Sequence, residues 1–91
     1  MQKFNVTVDG GHSAEVSLDI QGSSFTGTVV LPDYGTGHIK DGVVTGNSLK
    51  GLVDLAGYEA DFSAELNGVN ISGHLKYGWF FNKSFTGTIL A

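Results

Sequence analysis

The chain holds three histidines, at positions 12, 38 and 74, and nine carboxylates. Imidazole titrates near neutral pH, and a carboxylate shielded by aromatic rings has its pKa raised. A histidine beside an acid in an apolar mouth can therefore move a proton. His38 with Asp33 or Glu59 is the candidate set. Isomerisation or cyclisation of a small hydrophobic molecule needs little beyond such a pair and a shaped pocket. Other chemistry lacks its residues. No Cys is present, so thiolate metal sites, cysteine nucleophiles and disulfides are excluded. The histidines have no H-x-H or H-x-x-x-H partner, and no metal site is expected. "GNSLKG" has the wrong spacing for a G-x-S-x-G nucleophile elbow. "GTGHIK" lacks the third glycine and the strand–helix setting of a dinucleotide turn, and neither a P-loop nor an EF-hand spacing occurs. No cofactor is expected.

Charge narrows the partners further. The net charge is −4, and all five cations are lysines. Without arginine the chain lacks the residue best suited to bidentate phosphate contacts. No basic stripe exists, so neither nucleic acid nor an anionic membrane is expected as a partner. No apolar run approaches the roughly 18–20 residues of a membrane span. The start, "MQKFNVTVDGG", has no long apolar run and reads as no signal peptide. The N-x-S/T sequons at Asn5, Asn70 and Asn82 then read as chance. A cytoplasmic location fits these features.

These side chains are positioned by strands. Ala14, Val16, Leu18 and Ile20 alternate with Glu15, Ser17, Asp19 and Gln21; Ala60, Phe62, Ala64 and Leu66 alternate with Asp61, Ser63 and Glu65. A period of two marks half-buried antiparallel strands. No window keeps a helical period. Turn signals at Asp9-Gly10-Gly11, Gln21-Gly22-Ser23, Pro32-Asp33-Tyr34-Gly35, Gly46-Asn47, Ala56-Gly57 and Asn67-Gly68 divide the chain. The spacing predicts about eight strands, near 2–9, 12–21, 24–31, 37–45, 48–55, 58–66, 69–77 and 83–91. Asp41-Gly42 interrupts the fourth, as a bulge or as an extra small hairpin.

Four strands share one pattern: apolar, x, Gly, x, apolar. It runs through Phe25-Thr26-Gly27, Leu49-Lys50-Gly51, Ile71-Ser72-Gly73 and Phe85-Thr86-Gly87, and the repetition is closest between "SFTGTVVL" and "SFTGTILA". The unequal intervals exclude a solenoid. Each glycine falls on the inward face. Two readings stay open: the glycines permit strong coiling and large-against-small packing, or they hollow a ligand cavity.

An even number of strands in an up-and-down order brings the first and last together as antiparallel neighbours, which closes a barrel and removes both edges. The expectation is an all-β single domain over residues 1–91: a small closed antiparallel up-and-down β-barrel of about eight strands. A flattened barrel or a two-sheet β-sandwich is the alternative. The layout resembles lipocalin-like and streptavidin-like barrels in architecture, with no family motif behind the likeness. That resemblance implies an interior that is filled or holds one small ligand.

The meander sorts the connections into two ends. Those after strands 2, 4 and 6 are short and polar. Those after strands 1, 3, 5 and 7 carry Tyr34, Tyr58, Tyr77, Trp79, Phe80 and Phe81, with His12 and His38. Aromatics there suit a small hydrophobic or aromatic ligand, a plug over the core, or contact with a protein partner. On the outside, Val30, Leu52 and Leu90 share one slot of the pattern and form an interface for a homodimer, or a larger partner, if their strands adjoin. The leading reading is a noncatalytic binding or interaction module, free-standing or an accessory subunit. The alternative is a minimal barrel enzyme using His38, Asp33 and Glu59.

Overall fold

The computed structural model describes every residue except Met1, Gly10, Asp33, Tyr34, Ala56, Trp79, Phe80 and Ala91; of Phe81 it describes the main chain only. Eight strands follow one another: β1 (Gln2–Val8), β2 (His12–Gln21), β3 (Ser24–Leu31), β4 (Gly35–Thr45), β5 (Ser48–Leu55), β6 (Tyr58–Asn67), β7 (Asn70–Tyr77) and β8 (Phe81–Ile89). Each pairs antiparallel with the next, and β8 returns to β1, so the sheet is a closed up-and-down barrel. At the seam Phe4–Val8 face Phe85–Ile89. The closure continues beyond it: the Asp9 N–H donates to the Ser84 carbonyl at 2.8 Å, and the Leu90 N–H to the Lys3 carbonyl at 2.7 Å.

The limits of β1, β6 and β7 differ from the expected ones by one residue at one end, and those of β4 and β8 by two. The fourth strand begins at Gly35, not 37, because Gly35 and Thr36 pair with Leu31 and Val30. The eighth begins at Phe81 and ends at Ile89, because Tyr77 pairs with Phe81 across a tight turn. Asp41-Gly42 is a bulge and not a hairpin. The register of β4 slips by one residue against both neighbours there, and Asp41 takes φ 55°. Asp tolerates this left-handed region better than most residues. Alternation counted from Ile39 would turn Val43 inward. The bulge turns Val44 inward instead and leaves Val43 55% exposed.

Gly22, Gly46 and Gly68 open two-residue turns with φ near 60°, while Ser23, Asn47 and Val69 keep negative φ. A first turn residue alone at positive φ marks a type II′ turn, whose twist matches the flanking strands.

The inward faces fill the barrel. Phe4, Leu18, Leu49, Phe62 and Ile71 are among the most deeply buried side chains. The Phe62 ring stands between those of Phe25 and Phe85, with centroids 6.1 and 5.9 Å away. Ile20, Val44, Leu66 and Ile89 pack against this core as half-buried residues.

The patterned glycines face inward, and the neighbouring strand occupies the space beside them. A Cβ on Gly27 would collide with the Ser17 carbonyl oxygen, on Gly73 with that of Ser63, and on Gly87 with that of Asn5. These glycines allow main chain to approach main chain; they do not hollow a cavity. Gly51 is less crowded, its nearest neighbour being the Lys40 carbonyl at 3.1 Å, because it lies opposite the bulge. Two further glycines of β4 pack small against large. A Cβ on Gly42 would collide first with the Phe25 carbonyl oxygen and then with the Phe25 ring at 2.6 Å, and on Gly37 with the Val53 Cγ1 at 2.6 Å.

Gly27→Ala should lower the unfolding free energy by about 1–3 kcal/mol, because the β2 main chain must move. Thr26→Val, one residue away and outward, should stay within about 0.5 kcal/mol of the parent. Urea unfolding of the two variants measures this; parental stability in Gly27→Ala would contradict the close approach. At the bulge, Asp41→Val should cost about 1–2 kcal/mol while Asp41→Gly should not destabilise, the ordering expected only of a left-handed position.

Candidate functional site

The connections after β1, β3, β5 and β7 gather at one end of the barrel, as the up-and-down order requires. Two aromatics of that end are fully described. Tyr58 and Tyr77 lie in the inward-facing series of β6 and β7, beyond Phe62 and Leu75, where those series reach the rim. Their rings meet edge to face, 5.2 Å apart at 70°. That geometry sets the positive edge of one ring against the negative face of the other. Tyr77 is half-buried, while Tyr58 is 59% exposed. At the same end Leu31 is buried and Leu55, the cross-strand partner of Tyr58, is half-buried. The rim therefore presents a tyrosine pair at an end that also holds the buried Leu31 and the half-buried Leu55. Phe81 pairs with Tyr77 through the main chain. Asp33, Tyr34, Trp79 and Phe80 lie outside the described residues, as does the Phe81 side chain.

His38 and Glu59 sit elsewhere. His38 alternates with the buried Gly37 and Ile39, so it faces outward on β4. Its cross-strand partner is Asp54 of β5, whose partner on the other side is Glu59 of β6. Glu59 forms an ion pair with Lys40 at 2.5 Å, both side chains about half exposed. His38, Asp54 and Glu59 thus make one row across the outer wall, with Lys40 beside it. The hydrogen bond that the Lys40 ammonium donates to Glu59, and then the charge of that carboxylate, raise the Lys40 pKa above its ordinary 10.5. This row is solvated ionic surface, and its side chains are exposed. His12, at the start of β2, belongs to the inward series of its strand at the tyrosine end, so His12 and His38 do not converge. His74 is exposed on β7. Among the described residues no group of three His, Asp or Glu side chains could hold a metal ion, and no helix is long and apolar enough to cross a membrane.

The outward aliphatics do not meet. Val30 is on β3 and Leu52 on β5, and their partners on the intervening β4, Thr36 and Lys40, lie four residues apart. Leu90 follows β8, three strands from β3 round the ring. Asp54 and Lys40, which complete the outer row, carried no signal in the sequence. Only the register around the bulge places them beside His38 and Glu59.

Compared with known proteins, the chain matches no family model, no curated protein and no solved structure. Its function has to be read from its own residues.

The raised pKa of Lys40 implies that the ion pair favours the folded state below the ordinary lysine value. That contribution is lost as the pH rises through the higher folded value, in the alkaline range above 10.5. Glu59→Gln should bring the Lys40 pKa back toward its ordinary value in an NMR titration. At physiological salt the same variant should leave the urea midpoint near the parental one, since exposed pairs are screened. An unmoved Lys40 titration would show that the two do not interact in solution.

Proposed function

We propose that this protein is a noncatalytic binding module that takes a small hydrophobic or aromatic ligand at the tyrosine-bearing end of the barrel. The observation that carries the reading is the packed interior. With Phe25, Phe62 and Phe85 in one buried cluster, the apolar interior is used up by the protein's own side chains. A ligand must then meet the barrel at its surface. Aromatic surface is offered at the rim, where Tyr58 is the most exposed large apolar side chain among the described residues. A tyrosine ring there supplies an apolar face at low entropic cost and a hydroxyl that can orient a polar edge of the ligand. The acid–base alternative draws less support from the described residues, because His38 and Glu59 face solvent on the outer wall, Glu59 beside Tyr58 but on the opposite face of β6. A homodimer through Val30, Leu52 and Leu90 likewise lacks a contiguous surface.

Titration with indole and with lauric acid, followed by amide NMR shifts, tests the reading. Shifts should concentrate on Leu31, Leu55, Tyr58 and Tyr77. Tyr58→Ala should weaken binding about tenfold, roughly 1.4 kcal/mol, without changing the fold. Shifts centred on the opposite end, at Gly46 and Gly68, or undiminished binding by Tyr58→Ala, would sink the proposal.

A further inference from the structure

Away from the tyrosine end, the outer wall of β5–β8 carries a groove of about 440 Å³. It is built from three successive cross-strand rows. The middle row is Leu49, Ala64, Gly73 and Phe85, each the partner of the next. The Leu49, Ala64 and Phe85 side chains are buried in the core, so the floor of the groove is main chain. One flanking row is Lys50, Ser63, His74 and Ser84; the other is Ser48, Glu65, Ser72 and Thr86. These two outward rows are the walls. The floor passes over Gly73, the position where only the lack of a side chain admits the Ser63 carbonyl and the Phe85 ring from within. Strand spacing gives the groove a length of about 14 Å across the four strands and a wall separation of about 7 Å.

The walls contain five hydroxyls, one imidazole, one ammonium and one carboxylate, and no outward aliphatic or aromatic side chain. Among the described residues none of these eight uses its polar atoms on another side chain. Hydroxyls both donate and accept, so the natural counterpart is a ligand whose groups do the same. An anion would face the Glu65 carboxylate, a cation the Lys50 ammonium, and an apolar ligand would find no apolar wall. The volume falls in the range of small-molecule sites, about 300–1,000 Å³, and the shape is elongated.

We propose that this groove binds a short, uncharged, linear oligosaccharide laid across β5–β8. Sugar hydroxyls bond to both walls, and the ring C–H faces lie on the main-chain floor beside His74. The site is separate from the tyrosine end and does not depend on the function proposed there.

Amide NMR titration with maltotriose, cellotriose and the uncharged tri-N-acetylchitotriose at millimolar concentration tests this. At least one should shift the amides of Ser63, Gly73, His74 and Ser84 together. Ser84→Val and Thr86→Val remove one hydroxyl from each wall and suit strand positions, so the variants should fold. Each should weaken that binding about tenfold. Tyr58→Ala should leave it unchanged, and the valine variants should leave indole binding unchanged. The proposal is overturned if no trisaccharide moves these amides, if the valine variants bind as tightly as the parent, or if inorganic phosphate produces the same shifts where the sugars produce none.

Discussion

The approach of one strand's carbonyl to the next strand's inward glycine governs this structure. At Gly27, Gly73 and Gly87 the neighbouring main chain occupies the space that a methyl group would need. Eight short strands can close around a narrow axis only by coiling strongly, and coiling drives main chain inward at points along each ladder. The closed ladder leaves no strand edge to pair with another molecule. It also brings phenylalanines from β3, β6 and β8 into one buried cluster. The fourth patterned glycine, Gly51, faces a bulge rather than a regular neighbour, and there the approach relaxes. Coiling and bulging are thus alternative responses to the same crowding.

A barrel that fills its own interior moves recognition to its surface, and this surface offers two different chemistries. At one end the inward-facing series run out into Tyr58 and Tyr77, so apolar faces emerge where the core stops. On the wall of β5–β8 every outward side chain flanking the groove is polar. The wall of β4–β6 is different again: His38, Asp54 and Glu59 form a row in which Lys40 partly offsets the acids. Each surface follows from register, since a cross-strand row gathers residues from three or four separate strands.

The bulge at Asp41 matters beyond β4. One extra residue exchanges the inward and outward sets of the strand that follows it, so Val44 joins the core and Val43 faces solvent. It also places Gly42 beneath the Phe25 ring. Without that reset, alternation from Ile39 would turn Asp41, Val43 and Thr45 inward in place of Gly42 and Val44.

Local rules sufficed to read the strand count, the turns, the closed meander and the inward glycines. Alternation of period two and glycine at tight turns are properties of adjacent residues, and an even strand number forces the ends together. What lies beside each inward glycine could not be read that way, because the collision is with a carbonyl of another strand, as far away in the chain as Asn5 is from Gly87. The same holds for His38 and Glu59. Their residue types pointed to proton transfer, but strand parity turned them to the outer wall, and the bulge decided which partners they met. The hydroxyl groove was the least legible feature. Ser63, His74 and Ser84 are unremarkable on their own strands and become a wall only when β6, β7 and β8 are set in register, a choice made by the packing of the opposite face.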